Sequence, residues 1–92
     1  MKTSASELSK KLHVSKARGL EAVIKAELID AVLKTMAKEG LTHATVARSS
    51  GLPRSAVTGI LSGSLQGVTL DRLLKLVEAV GLTVQMRVRR SA

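Results

Sequence analysis

The sequence contains no Phe, Tyr or Trp, and this absence excludes several classes of nucleic-acid-binding protein. Single-strand and RNA readers of the RRM, OB-fold and cold-shock kinds stack bases on aromatic rings, so none of those modules fits this chain. Cysteine is absent too, which excludes disulfides, a thiolate nucleophile and a cysteine-ligated zinc site, and fits a cytoplasmic location. No apolar run approaches the roughly 18 residues of a membrane span, so we expect no membrane insertion.

Acidic residues are also scarce. The chain has 7 Asp and Glu and 15 Lys and Arg, which gives a formal net charge of +8. This balance favours polyanionic partners such as nucleic acid, because each neutralised phosphate releases bound counterions. The 92 residues are 45% hydrophobic, which is too apolar for a disordered basic tail. A chain this short buries only roughly 60–65% of its surface on folding, so we expect a dimer that buries more.

Residue types that support catalysis are sparse. The two histidines, His13 and His43, have no third ligand placed to complete a metal site. Neither a phosphate-binding P-loop nor a nucleophile elbow occurs. The acidic side chains of the first predicted helix, Glu21, Glu27, Asp30 and Glu39, are expected to pair with the lysines Lys25, Lys34 and Lys38. We therefore expect no enzyme activity, no cofactor and no metal.

The aliphatic residues are spaced for a mainly α fold. From Leu20 to Met36 an apolar residue recurs at every fourth position, which predicts a helix of about 20 residues. Helix-terminal residue types then delimit further helices, so the four predicted helices run from Leu20 to Gly40, Thr42 to Gly51, Pro53 to Gly63 and Thr69 to Gly81. The predicted buried face of the last helix consists of Leu70, Leu73, Leu74, Val77 and Val80.

Residues 1–19 form a basic arm in this interpretation, with five Lys and Arg against one Glu. Ser4 and Glu7 have the spacing of a helix-capping box, which allows a short fifth helix. One hypothesis is that the arm is a solvated, flexible lead. The other is that it contacts DNA phosphates or a protein partner.

The C-terminal residues change to a period of two, which is typical of a half-buried strand. The apolar positions of this pattern are Leu82, Val84, Met86 and Val88. Because the chain offers no second strand, we predict that this strand pairs with its copy across a homodimer. The alternative is a strand docked alone on the helices or a frayed tail. The nearby Arg87, Arg89 and Arg90 either touch the DNA backbone beside the dimer seam or keep the tail soluble.

The segment from His43 to Leu61 has the arrangement of a helix-turn-helix, two short helices joined by a tight turn that contains Gly51. Ser50 stands at a position that is usually apolar. In such a motif the second helix enters the major groove, and its predicted outer face consists of Arg54, Ser55, Thr58, Gly59 and Ser62. Arg54 is suited to a bidentate contact with guanine; the alternative is an ordinary solvated charge. On the preceding helix, His43 and Arg48 are predicted to face the DNA backbone, although His43 could equally be merely exposed.

Two stretches resemble Xre/Cro-type helix-turn-helix proteins, in particular their small HigA-like branch. They are LTHATVARSSGLPRSAVTGILSG (residues 41–63) and VTLDRLLKLVEAVGLTVQMRV (residues 68–88), and the resemblance extends from Ala17 to Arg89. It implies a lambda-repressor-like domain of four to five helices whose C-terminal β-strand pairs across a homodimer. It also implies a cytoplasmic transcriptional repressor on a palindromic operator, or an antitoxin that neutralises a toxin protein and represses its own operon.

Position by position, the resemblance places His43 where the family has a phosphate-gripping Gln, and Pro53-Arg54-Ser55 where it has Ser-Gln-Pro. A guanidinium thus replaces a base-reading amide, which favours guanine in the operator. The chain divides into the arm (1–19), a helix-turn-helix domain (20–81) and a dimerisation strand with a basic tail (82–92). A third hypothesis, an architectural nucleoid protein, needs only charge and predicts equal affinity for unrelated duplexes.

Overall fold

The computed structural model describes residues 16–63 and 67–90, so residues 1–15 of the predicted arm (1–19), with the short helix that Ser4 and Glu7 allow, lie outside the described residues. Four α-helices lie within the described ranges, as the spacing of apolar residues predicts. They are α1 (Lys16–Glu39), α2 (His43–Ser50), α3 (Arg54–Leu61) and α4 (Leu70–Ala79). None of them is long and apolar enough to cross a membrane.

Helix α1 starts earlier than the sequence predicts and is buried along only part of its length. Residues 16–19, which were predicted to lie in the arm, are helical, and Gly19 is buried. Toward the C-terminal end Ile29, Val32 and Met36 pack in the core, whereas Leu20 is 49% exposed. The apolar stripe that predicts this helix therefore continues into the N-terminal half of α1, where its side chains are not buried in the domain core.

Two of the predicted ion pairs lie on α1. Glu21 pairs with Lys25 at 3.1 Å and Asp30 pairs with Lys34 at 2.9 Å, each one helical turn apart. The pair of Asp30 and Lys34 is exposed, and such a pair contributes only about 0.3–0.5 kcal/mol, so it supports the helix without deciding its position.

The helix ends follow the capping residues in the sequence. Thr42 Oγ1 accepts a hydrogen bond from Thr45 N at 3.1 Å, and Thr69 Oγ1 accepts one from Arg72 N at 3.3 Å. Gly51 closes α2 with φ +76°, a conformation that other residues rarely adopt. These predicted caps are confirmed, because capping depends on residues only three or four positions apart.

One core joins the four helices. Its most deeply buried side chains, each less than 2% exposed, are Val32, Val46, Val57, Leu73 and Leu76. The predicted buried face of α4 is partly wrong, because Leu70 and Leu74 are 37% and 44% exposed and Leu76 is buried instead. Helix α4 packs against both α1 and α2. The face of α4 that makes these contacts is rotated away from the side of the helix that carries Leu70 and Leu74.

The predicted C-terminal strand is not formed by the single chain. Residues 82–90 make no β-ladder within the described ranges, and an isolated strand has no partner with which to form one. Leu82, which was assigned to the dimer seam, packs against the core of its own chain, and its N–H donates to the carbonyl of Val77 at 3.0 Å. Val84, Met86 and Val88 are 46%, 77% and 85% exposed.

Candidate nucleic-acid interface

Helices α2 and α3 form the helix-turn-helix that the sequence predicts. The turn consists of residues 51–53, and Pro53 is the N-cap of α3 with φ −60° and ψ 145°. Ala47 on α2 and Val57 on α3 are both buried, and the two helices pack against each other. Small Ala47 allows this close approach, so the positions of the two helices relative to each other are set by the core.

Ser50 stabilises the turn. Its hydroxyl donates to the carbonyl of Ala47 and accepts from Leu52 N, both at 3.2 Å. An apolar residue could make neither bond. The departure that the sequence shows at this position is therefore explained by the turn, whose backbone uses the serine hydroxyl as a partner.

The two faces of α3 differ sharply. Val57, Ile60 and Leu61 are buried, whereas the predicted DNA-facing side chains Arg54, Ser55, Thr58 and Ser62 are exposed. The hydroxyl of Ser62 donates to the carbonyl of Gly59 at 3.0 Å and so completes the end of the helix. The structure therefore brings the predicted residues of α3 together on one exposed surface, here called the α3 face.

Gly59 lies half-buried beside the α3 face. A Cβ built at this position meets no atom within 4 Å apart from its chain neighbours and the backbone of its own helix, and the backbone there is helical. Neither packing nor backbone conformation within the described chain therefore requires glycine, although glycine costs about 1 kcal/mol relative to alanine inside a helix.

The two α2 residues that the sequence predicts to contact DNA differ in their exposure to solvent. Arg48 is exposed and His43, the first residue of the helix, is half-buried. His43 Nδ1 lies 3.1 Å from Thr58 Oγ1, a hydrogen-bonding distance that links α2 to the α3 face. Sequence reasoning assigned both residues to DNA contact but missed this bond, because the two are 15 positions apart and only the packing of the helices brings them together.

The helix-turn-helix segment carries positive charge and no acidic residue in its sequence. From Leu41 to Leu65 the charged residues are Arg48 and Arg54 alone, and neither forms an ion pair with another described residue. Both guanidinium groups are therefore available to an anionic ligand. Among the described residues no cluster of three or more His, Cys, Asp or Glu is placed to hold a metal ion.

A family model described as a helix-turn-helix domain matches residues 10–89, which is most of the chain. The protein belongs to this helix-turn-helix family. Comparison with curated proteins and with solved structures found no match.

In this helix-turn-helix protein α3 holds the place of the recognition helix, the second of the two helices. Its eight residues span about 12 Å, which is comparable to the width of the major groove of B-DNA. The family assignment and the exposed, acid-free α3 face agree on DNA binding.

Outside the helix-turn-helix the structure contains an apolar groove that the sequence does not predict. This groove of about 500 Å³ lies between the N-terminal half of α1 and residues 82–90, here called the C-terminal segment. Its apolar lining includes Leu20, Ile24, Leu28 and Val84. The four-residue repeat of α1 and the two-residue repeat of the C-terminal segment each predict an apolar face. Neither repeat predicts that the two faces lie opposite each other across a groove.

Proposed function

We propose that the protein is a sequence-specific regulator of transcription, of the Xre/Cro type, that represses by binding double-stranded DNA. The observation that carries this proposal is the α3 face, which presents Arg54, Ser55 and Thr58 on a helix anchored by buried Val57 and Ile60. A rigid helix with exposed polar side chains reads base edges, whereas phosphate contacts alone fix position without sequence. The role is one of binding, without catalysis, metal or cofactor.

Each residue has a role suited to its place. Arg54, at the first turn of α3, makes a bidentate contact with guanine O6 and N7. Ser55 and Thr58 follow on the same face and reach bases or phosphate. His43 and Arg48 on α2 contact the DNA backbone, and the half-buried Gly59 lets the helix approach closely.

The protein acts as a homodimer in this proposal. Val84, Met86 and Val88 alternate along a segment that has no strand partner among residues 16–63 and 67–90 of its own chain, and all three are exposed. Pairing of this segment with its copy about a two-fold axis would satisfy the backbone groups of both strands and cover these side chains. Two α3 helices would then face two half-sites of a palindrome.

Selection of double-stranded DNA from a random library by the purified full-length chain tests the function. We expect a palindrome whose half-sites lie about one helical turn apart, with guanine at one position of each half-site. Placed upstream of a reporter gene, the selected sequence should lower expression when the protein is present. Equal recovery of unrelated duplexes would instead favour an architectural, sequence-independent protein.

A second candidate is an antitoxin that neutralises a toxin and represses its own operon. It is favoured by the basic sequence of residues 1–19, whose five Lys and Arg suit an acidic protein surface. Co-expression with any short reading frame beside the gene separates the two functions. An antitoxin restores growth that the neighbouring product arrests, and a variant lacking residues 1–15 loses this rescue while it retains DNA binding.

A further inference from the structure

A hydrogen bond joins His43, which the proposed function assigns to the DNA backbone, to Thr58, which it assigns to bases or phosphate. His43 Nδ1 lies 3.1 Å from Thr58 Oγ1, and the other ring nitrogen, Nε2, makes no hydrogen bond with a described residue. His43 is half-buried at the start of α2, whereas Thr58 is exposed on the α3 face. One imidazole thus has one nitrogen on the recognition helix and one nitrogen free.

We propose that His43 determines which bases Thr58 accepts, by setting the direction of this hydrogen bond. The inference rests on the proposed DNA-binding function. In a helix-turn-helix the first helix crosses the DNA backbone, so the free Nε2 of His43 is placed to meet a phosphate. A phosphate oxygen only accepts hydrogen bonds, and Nε2 must therefore carry the proton.

The direction of the second bond follows from the chemistry of imidazole. A neutral imidazole has one N–H and one bare nitrogen, so a proton on Nε2 leaves Nδ1 as an acceptor. Thr58 must then donate its hydroxyl proton to Nδ1. The remaining lone pairs of Thr58 Oγ1 can only accept a hydrogen bond.

An acceptor on the α3 face distinguishes bases in the major groove. Adenine and cytosine present amino donors there, N6 and N4, whereas guanine and thymine present N7, O6 and O4, which are all acceptors. Thr58 held in this way selects adenine or cytosine at the position it reaches. A threonine without its histidine partner could donate as well as accept, and would tolerate all four bases. His43 is thus a positioning residue for specificity.

DNA selection with four full-length chains tests this role: the wild type, His43→Leu, Thr58→Val and the double variant. In the wild type we expect an adenine or cytosine preference of roughly tenfold, the worth of one hydrogen bond, at the base pair that loses its preference in Thr58→Val. His43→Leu should relax the preference at the same base pair, and loss of its phosphate contact should add a loss of affinity that does not depend on sequence. In the Thr58→Val background it should change no base preference further, because it acts through Thr58.

Two results would overturn the proposal: an unchanged preference at that base pair in His43→Leu, or a wild-type preference there for guanine or thymine. If His43→Leu does not melt cooperatively, His43→Gln replaces it, since its amide offers Thr58 a donor as well as an acceptor and should relax the preference in the same way. A wild-type protein that enriches no sequence would overturn the regulator itself, which distinguishes the two failures.

The tautomer supplies a readout that a merely structural role would not move. The chain has two histidines, so His13→Gln leaves His43 alone in the imidazole ¹⁵N spectrum. In the complex with the selected duplex, we expect ¹⁵N shifts of a protonated Nε2 and a bare Nδ1. A protonated Nδ1 in that complex would contradict the proposed direction of the bond.

Discussion

Among single residues, Arg54 has the most direct proposed role. It is the first residue of α3, it is exposed, and it forms no ion pair with another described residue. Its guanidinium therefore does not have to break a bond inside the described chain in order to reach a base.

Replacement of Arg54 by Ala should weaken binding to the selected operator by about 1–3 kcal/mol and relax the preference at one base pair. Fluorescence anisotropy with a set of single-base operator variants measures both effects. Arg72→Ala is the matched control, because it removes an exposed arginine on α4, outside the helix-turn-helix. An equal loss on every duplex would mean that Arg54 contacts phosphate only.

Gly59 shows how a residue can be unfavourable for the fold and still suit the ligand. Its Cβ position is open and its backbone is helical, so alanine fits without strain. We expect Gly59→Ala to raise the free energy of unfolding by about 0.5–1 kcal/mol, and the melting temperature by several degrees. The same methyl group should weaken operator binding, since it occupies the space into which the DNA approaches.

Thermal denaturation and anisotropy on the same Gly59→Ala sample check the two effects. Gly63→Ala is the comparison. The Cβ position of Gly63 is also open, but its φ of +99° strains any side chain, so this variant should be less stable than the wild type. A Gly59→Ala protein that is more stable and binds equally well would rule out close backbone approach.

At the scale of elements, the turn between α2 and α3 decides how the α3 face is presented. Three local devices shape it: the left-handed Gly51, the extended Pro53 and the double hydrogen bond of Ser50. The turn holds α3 in place without a side-chain cap at Pro53, because the other two devices and the buried side of α3 restrain it.

Ser50→Ala should destabilise the domain by about 1–2 kcal/mol, because the half-buried Leu52 N–H loses its partner. Chemical denaturation measures this loss. Ser49→Ala removes an exposed hydroxyl one position earlier and should change stability by less than about 0.5 kcal/mol. Equal effects of the two substitutions would show that the turn does not depend on the Ser50 bonds.

At the scale of the whole molecule, the distribution of exposed apolar side chains is uneven. The core is closed by the C-terminal half of α1 together with α2, α3 and α4, whereas Leu20 and the segment with Met86 lie beside the open groove. In a chain of 92 residues, burying these exposed side chains in a dimer would stabilise the fold.

Met86→Glu should therefore convert a dimer to a monomer and weaken operator binding, because a charge would be buried at the two-fold seam. Light scattering coupled to size exclusion measures the mass. Leu74→Glu is the control, since it places the same charge on an apolar residue of α4 that is 44% exposed and lies outside the C-terminal segment. A wild-type monomer, or a Met86→Glu dimer, would contradict the pairing of the segments.

Much of the helix-turn-helix is readable from local sequence. Thr42, Gly51, Pro53 and Thr69 each act on backbone groups within four residues, so their types alone predict where helices begin and end. The exposed positions of α3 follow from helical periodicity in the same way. The sequence predicts the start of α1 at Leu20, whereas the helix begins at Lys16. Residues 16–19 lack an apolar stripe, and their helical state depends on continuation of the helix that follows.

By itself, therefore, the sequence determined a mainly α, helix-turn-helix chain with a basic, acid-free recognition segment, since periodicity and capping are properties of neighbours along the chain. Only the tertiary structure decided that His43 meets Thr58, that Leu74 stays exposed and that α1 and the C-terminal segment line one groove. These outcomes depend on how the helices rotate as they pack, and close packing of the core couples residues that the sequence separates.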